Sequence, residues 1–384
     1  MKTLEAPLNP NFSSGPCSKR PGWNIEVLNG ALVGRSHRSS VSLKRINKLI
    51  GELIAVLNIP SGYQVALVGG SDTGAVEMAL WNLLGYRGVD VLAWESFGND
   101  WVTDVIEQLK IKNTNLLKSD YGKLPDLKKV NFENDVIFTW NGTTSGVKIP
   151  NGDWIPEKRK GLTICDATSA VFAMDLPWIK LDVVTFSWQK VLGGEAQHGV
   201  IVLSERAIER LETYLPNWPI PKLFRITKNG KLIKKIFQGS TINTPSMLCI
   251  EDAIDALKWV KDIGGLSEMI NRSKKNLAEI ENWVKQKEWI NFLSEKKENC
   301  SSTSVCLKIV DNWFLSLDDQ DKKTIIKFIS EKLEEKKVAY DINSYPSAPH
   351  GIRIWGGATV ETSDIKLLLP WLDWVWNEVK IKYT

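Results

Sequence analysis

Between Val41 and Leu57 the apolar positions recur at helical spacing, which puts Val41, Ile46, Leu49, Ile50, Leu53, Ile54 and Leu57 on one face of a helix. Beyond it, short apolar runs alternate with further helical stretches. Tyr63 to Val68 is the first such run, and it feeds a glycine-rich turn and a helix from Ala75 to Leu84. Val89 to Trp94 reads as a strand and Trp101 to Lys110 as a helix. Further strands are expected at Val136 to Trp140, Leu162 to Cys165, Val183 to Trp188 and Val200 to Leu203. Strands that are apolar along their whole length need cover on both faces. The pattern therefore predicts an α/β fold with a mostly parallel sheet between helices. In such sheets function gathers at the carboxyl ends of the strands.

Pro245 to Ile263 and Leu266 to Lys287 read as long helices meeting at Gly264-Gly265. After them the pattern loosens, with a strand at Ser304 to Val310, a helix at Lys322 to Val338, a strand at Gly351 to Trp355 and a terminal helix at Ser363 to Lys380. We expect a large domain over residues 1–264, including an irregular entry segment rich in Pro and Gly, and a smaller α+β domain over 265–384. A chain of 384 residues exceeds the size at which one core usually stops growing, which agrees with two domains.

Composition removes several function classes. The 49 basic and 45 acidic residues leave a net charge of +4, too small and too dispersed for a nucleic-acid surface. Glu331-Lys-Leu-Glu-Glu-Lys-Lys337 alternates sign on a helical pattern, as a solvated face does. Five cysteines without a Cys-x-x-Cys pair read as reduced thiols in a cytoplasmic protein rather than a disulfide framework or a zinc site. Met1 to Pro10 has no apolar leader core and no run of about 18 apolar residues occurs, so neither secretion nor a membrane span is expected. Most of the 17 tryptophans are expected to anchor cores or interfaces, and only Trp101 attracts a functional reading.

Candidate chemistry starts with Lys190, at the end of Asp182-Val-Val-Thr-Phe-Ser-Trp-Gln-Lys190, and Asp166, directly after Leu162-Thr-Ile-Cys. A lysine that can form a Schiff base and an acid that can keep a pyridine nitrogen protonated are the two groups a pyridoxal phosphate enzyme most needs. Each has an ordinary alternative: a solvated lysine, and a carboxylate that caps a helix or pairs with an arginine. Upstream, Gly69-Gly70-Ser71-Asp72-Thr73-Gly74 lies between a strand and a helix, where free backbone N–H groups attract a phosphate. A plain turn remains open there, and a dinucleotide loop lacks its Gly-x-Gly-x-x-Gly spacing. His37-Arg38 and Arg353 offer guanidinium groups suited to carboxylates and phosphates. The chain's three histidines, His37, His198 and His350, leave few places for a Ser-His-Asp triad, and two of them lie beside those arginines.

These residues resemble the phosphoserine aminotransferase family, pyridoxal-phosphate enzymes of fold type I related to the class V aminotransferases. The resemblance runs over most of the chain. Its marks are Asn11-Phe-Ser-Ser-Gly-Pro16, Ser36-His37-Arg38, the glycine-rich loop through Asn82-Leu-Leu-Gly85, Trp101, Asn141-Gly142-Thr143, Asp166, Gln189-Lys190, Asn243-Thr244-Pro245 and Arg353. It implies a large domain with a mostly parallel seven-stranded sheet, and a homodimer with a shared active site. Lys190 would carry pyridoxal 5'-phosphate, Asp166 would pair with its ring nitrogen, Trp101 would stack on the ring and Thr143 would bond near the ring hydroxyl. Ser71, Asp72, Thr73 and Gln189 would hold the cofactor phosphate, joined by Asn243 and Thr244 of the neighbouring subunit. His37, Arg38 and Arg353 would grip substrate phosphate and carboxylate, with Ser13 close by. The implied reaction moves an amino group between L-glutamate and 3-phosphohydroxypyruvate, with a related phosphorylated oxo acid of pyridoxine synthesis as a second substrate. Alanine–glyoxylate or serine–glyoxylate transamination is the nearest alternative. The loop departs from the Gly-Gly-Gly-Arg type of many members, because it has no arginine.

Overall fold

Residues 4–384 are described in the computed structural model; residues 1–3, where the expected large domain begins, lie outside the described residues. Helix α1 (Ser40–Leu57) starts at Ser39, whose hydroxyl accepts from the Ser42 N–H at 3.3 Å, a standard way to satisfy a free first-turn donor. The chain then alternates β1 (Gln64–Gly69), α2 (Ser71–Leu83), β2 (Val89–Ala93), α3 (Ser96–Thr103), β3 (Thr114–Lys118) and β4 (Asp135–Thr139). A small hairpin follows, β5 (Asn141–Gly142) with β6 (Val147–Lys148), and then β7 (Thr163–Asp166), β8 (Val183–Phe186), β9 (His198–Leu203) and α4 (Glu205–Thr213).

Seven strands make one sheet in the order β1-β9-β8-β7-β4-β2-β3. Only β9 runs against the rest: it pairs antiparallel with β1 and β8, whereas β2–β3, β2–β4, β4–β7 and β7–β8 are parallel. That reversal matters for function. The chain leaves β8 and doubles straight back into β9 through residues 187–197, so the turn carrying Lys190 stays at the edge where β4 and β7 also end.

Both faces of the sheet are apolar, as its strands demand. Ala66, Val68, Ile137, Ile164, Val183 and Ile201 pack with Val76, Met78, Leu80 and Leu83 of α2. The alternate residues Val65, Leu67, Val136, Phe138, Val184 and Val202 join Ile46, Leu49 and Leu53 of α1 on the other face. At ~25 cal/mol per Å² of buried apolar surface, such two-sided cover is the main force holding the strand ends in place.

A short ribbon, β10 (Thr227–Lys228) with β11 (Lys231–Leu232), leads to α5 (Met247–Asp262) and α6 (Gly265–Val284). Gly264 and Gly265 between them have φ of 118° and 75°, a backbone that only glycine adopts readily. The remainder comprises β12 (Ile290–Phe292), β13 (Ser304–Ile309), α7 (Asn312–Ser316), α8 (Asp319–Glu335), β14 (Gly351–Trp355) and α9 (Thr362–Tyr383), with an antiparallel sheet β12-β13-β14. The entry segment runs along this smaller sheet. The N–H groups of Tyr340 and Trp355 donate to the carbonyls of Pro10 and Phe12 at 2.9 and 3.0 Å. Among the described residues, no helix is long and apolar enough to cross a membrane.

Several features differ from the sequence pattern, and four of them have a plain physical reading. Strand β8 stops at Phe186 rather than Trp188, which leaves Lys190 in the turn beyond it. Helix α3 begins at Ser96, five residues before Trp101, because the Glu95 carboxylate caps it by accepting from the Gly98 N–H at 2.7 Å. Strand β3 is a half-exposed edge strand and carries no continuous apolar run. Helix α4 buries Arg210 together with Ala207 and Leu211, and pairs that arginine with Asp135 at 2.9 Å; a buried cation is not a position that apolar periodicity detects.

Candidate active site

The carboxyl ends of β1, β2, β4, β7 and β8 converge on one cavity of about 230 Å³. Lys190 and Gln189 reach it from the β8–β9 turn, Asp166 and Thr168 from β7, and Trp101 from α3. Ser71, Asp72 and Thr73 enter from the start of α2, and Thr143 from the β5–β6 hairpin. Residues scattered over 120 positions of sequence are thus brought together by the common direction of the strands that deliver them.

The Lys190 amine donates to the carbonyl of Ser14 in the entry segment. The backbone secures this arrangement, since the Cys17 N–H donates to the Gln189 carbonyl at 2.9 Å and the Gly193 N–H to the Lys190 carbonyl at 3.0 Å. A Cβ on Gly15 would collide with the lysine side chain, so glycine is what lets the entry segment close over it. Burial lowers the Lys190 pKa; the positive charge of Arg353 lowers it further, while Cys17, Asp166 and Glu95 act the other way. A lysine easier to deprotonate is a better nucleophile and a better base.

Asp166 ends β7. Its Oδ2 accepts from the Trp101 indole N–H at 3.2 Å and its Oδ1 from the Thr168 N–H at 3.1 Å. Trp101 itself is 4% exposed. Thr143 donates to the Ser169 hydroxyl at 2.8 Å, and Asn141 donates to the same oxygen at 2.8 Å. Three polar atoms near these residues, Thr139 Oγ1, Thr168 Oγ1 and Asn141 Oδ1, are buried without a protein partner, which is costly unless something else bonds them.

Helix α2 starts at this cavity. Its cap is Gly70 at φ 84°, with no side chain bonded to the first-turn N–H groups. A Cβ on Gly74 would run into the Gly69 carbonyl. The uncapped start of a 13-residue helix concentrates partial positive charge and free donors, the usual seat of a phosphate. The Asp72 side chain is a lining residue of the cavity. It is 6% exposed and lies against Asp166, Thr168 and Thr185, so what Asp72 offers a phosphate is its backbone N–H.

Sequence reasoning passed over Glu95 and Phe97, which also line the cavity. Glu95 directly follows an apolar strand, the same signal that marked Asp166. Fully buried, it accepts from Gly98 N–H at 2.7 Å, Thr144 N–H at 3.2 Å and Thr144 Oγ1 at 2.7 Å. Burial pushes its pKa up from 4.5 to about 7. The folded state therefore binds this proton more tightly than the unfolded chain, and Glu95's contribution to stability is complete below pH 4.5 and lost as pH rises towards 7. Glu95→Gln is expected to flatten the fall in unfolding free energy between those pH values, measured by denaturant titration; an unchanged slope would remove Glu95 as its source.

The remaining site candidates are not among the residues lining this cavity. His37 and Arg38 line a second groove with Lys222, Arg225 and Lys235, and burial followed by the Arg38 charge lowers the His37 pKa. Asn243 stands beside Gly69, its amide close to where a Cβ would be, and Thr244 is exposed. Arg353, on β14, lies near Lys190 and Cys17, whose pKa values its charge lowers. Its guanidinium sits 5.8 Å from the Tyr345 ring and its buried Nε has no partner. His350 is drawn off to the surface, 2.6 Å from Asp319. Ser13 accepts from the Gly15 N–H at 3.3 Å.

A seven-stranded sheet of this order, with a lysine in the turn after one strand and a carboxylate ending the next, is the framework of a fold type I pyridoxal-phosphate aminotransferase. The phosphoserine aminotransferase of Cytophaga hutchinsonii superposes with a TM-score of 0.80 at 21% identity, covering 98% of this chain and 100% of that one. The alanine–glyoxylate aminotransferase of Nostoc superposes almost as well, at 0.78 and 17% identity over 98% of this chain and 97% of that one, so these likenesses establish the fold and do not separate reactions. No family model matches the chain. Sequence relatives decide the matter. The phosphoserine aminotransferases of Methanosarcina barkeri and Methanosarcina mazei are each 57% identical over 380 residues, covering 99% of this chain and 100% of theirs. The chain belongs to the phosphoserine aminotransferase family.

Proposed function

We propose that the protein moves an amino group reversibly from L-glutamate to 3-phosphohydroxypyruvate, giving O-phospho-L-serine and 2-oxoglutarate, with pyridoxal 5'-phosphate seated in the cavity at the sheet edge. The observation that carries this reading is the meeting of Lys190 and Asp166 in one cavity beside the uncapped start of α2, in a chain 57% identical to named phosphoserine aminotransferases. The donor set suits the group. An amine is available for its aldehyde, a carboxylate for its ring nitrogen, free N–H groups for its phosphate, and partnerless buried oxygens at Thr139, Thr168 and Asn141 for its remaining polar atoms.

When bound, pyridoxal phosphate supplies an electron sink for the pair left at substrate Cα. The chain's own residues do the rest. Lys190 Nζ, its pKa lowered by burial, takes the proton from substrate Cα and returns it on the other side of the transfer, acting as base and then acid. Asp166 keeps a proton on the pyridine nitrogen. The Trp101 indole is fixed by its bond to Asp166 and offers a flat wall for the ring. Ser71, Asp72, Thr73 and Gln189 surround the phosphate seat, and Thr143 faces the ring hydroxyl.

Arg353 takes the substrate carboxylate. Arg353→Ala is expected to raise KM for both amino acids about 30-fold, the low end of about 2–5 kcal/mol for a lost buried charge pair, with kcat less affected. An unchanged KM would remove Arg353 from the site.

His37 and Arg38 serve the active site of a second copy in a homodimer, where they meet substrate phosphate, and Asn243 and Thr244 likewise reach the neighbour's cofactor phosphate. Support comes from the groove that His37 and Arg38 line with Lys222, Arg225 and Lys235, which shares no lining residue with the cavity of Lys190. The large domain spans residues 1–264 and the small one 265–384, hinged at the two positive-φ glycines. Cytoplasmic placement fits five free cysteines. A phosphorylated oxo acid of pyridoxine synthesis presents the same two anionic groups and is proposed as a second substrate.

Comparing O-phospho-L-serine and 2-oxoglutarate with alanine or serine and glyoxylate tests the substrate class. The reading expects turnover to depend on the phosphate, and equal rates on the unphosphorylated pair would contradict it.

A further inference from the structure

Arg353 has no acidic partner. Its buried Nε makes no hydrogen bond, and among the described residues it forms no ion pair, although Arg20, Arg45, Arg159, Arg206, Arg210 and Arg272 all do. A carboxylate at this place would occupy the N–H donors and offset the charge that a substrate carboxylate needs. What stands against the guanidinium instead is the Tyr345 ring, with its centroid 5.8 Å away. An aromatic face attracts a cation through its quadrupole and takes up no N–H in doing so.

We propose that Tyr345 is a positioning residue, which sets the Arg353 guanidinium in place, donors free, before the substrate carboxylate arrives. The fold brings the pair to the cavity. Arg353 on β14 is the register partner of Cys306 on β13, and the Cys306 thiol donates at 3.9 Å to the carbonyl of Thr143, a residue of the cavity wall. Cross-strand partners share one face of a sheet, so Arg353 comes off the face of the small sheet that meets the cavity. The chain ahead of β14 folds back beside it. The Arg353 N–H donates to the Ile342 carbonyl at 2.7 Å and the Ser344 N–H to the Gly351 carbonyl at 3.2 Å, and Tyr345 lies within the loop so closed.

That loop is also tied to the large domain. The Tyr345 ring packs on Phe97, another residue of the cavity wall, with centroids 5.8 Å apart and planes at 51°. Two residues on, Ser347 Oγ lies 2.6 Å from Ser96 Oγ and 3.2 Å from the Tyr121 hydroxyl. Ser96 opens α3, the helix that carries Trp101. An arginine free to sample its rotamers would have to give up that freedom on binding substrate, which weakens capture; one set against an anchored ring gives it up on folding.

The inference rests on the reading of Arg353 as the binder of the substrate carboxylate, and a double-mutant comparison separates the two. In the full-length protein carrying its cofactor, Tyr345→Leu is expected to raise KM for both L-glutamate and O-phospho-L-serine about fivefold, the size of one cation–π contact, with kcat within about twofold of wild type. Tyr345→Phe keeps the ring and is expected to return both KM values to within about twofold of wild type. Tyr345→Met fills the space without a ring and takes the place of the leucine variant should that one fold poorly. In an Arg353→Ala background the Tyr345→Leu change is expected to add less than about twofold, because the tyrosine acts only through the arginine. An unchanged KM in Tyr345→Leu, a Tyr345→Phe protein as impaired as Tyr345→Leu, or the full effect persisting without Arg353 would overturn the positioning role and leave the arginine in the site. An unchanged KM in Arg353→Ala itself would overturn the carboxylate reading.

Discussion

Lys190→Ala is expected to leave a folded protein whose transamination falls by at least about 10²–10⁴-fold, the range for loss of a positioned general acid–base group. The fall is expected in kcat, because the seat for the cofactor phosphate at α2 and the Asp166 carboxylate remain. The fold has little reason to suffer. The lysine's one side-chain hydrogen bond is to the Ser14 carbonyl, and alanine removes a buried amine whose desolvation was itself costly. Small primary amines added to the variant are expected to restore part of the rate by carrying the proton that Nζ no longer carries. Turnover within a fewfold of wild type would sink the role given to Lys190.

Asp166→Ala comes second in expected effect. Removing one partner of a buried charged pair costs about 3–5 kcal/mol, which corresponds to about 150- to 5,000-fold in kcat/KM at 1.36 kcal/mol per tenfold. The loss has two components. The ring nitrogen no longer keeps its proton, and the Trp101 indole N–H loses its acceptor at 3.2 Å, so the wall beside the ring loosens. Asp166→Asn keeps an oxygen for Trp101 without the charge. It is therefore expected to recover cofactor binding better than rate, and the split between the two separates the electrostatic part from the structural one. Equal recovery of both would leave Asp166 with only a packing role.

Lys190 and Asp166 could be read from the chain because each follows a continuous apolar strand, and two-sided burial makes such strands conspicuous. Glu95 obeys the same rule and could have been found by it. The lysine's exact setting was less accessible. Strand β8 ends two residues sooner than the apolar run suggests, and the Ser14 carbonyl that receives Nζ lies 176 residues away. No local pattern carries a contact of that kind. Strand β3 escaped because an edge strand needs apolar cover on less of its surface, and α4 because it buries Arg210 against Asp135. The Ser-His-Arg motif was recognisable as an anion site, yet His37 and Arg38 sit in a groove with Lys222, Arg225 and Lys235 that shares no lining residue with the cavity of Lys190. Which residues share a groove is set by the path of the chain between them, here some 180 residues of it. Asp72 is the reverse case: its place in the loop was evident, but only the fold reveals that its side chain is buried.

Borohydride reduction of the purified protein, followed by peptide mass analysis, tests the central claim most directly. The expected result is loss of the visible cofactor band and one added pyridoxyl phosphate mass, on the peptide containing Lys190. The same mass on another lysine, or no added mass in protein exposed to pyridoxal phosphate, would contradict the account.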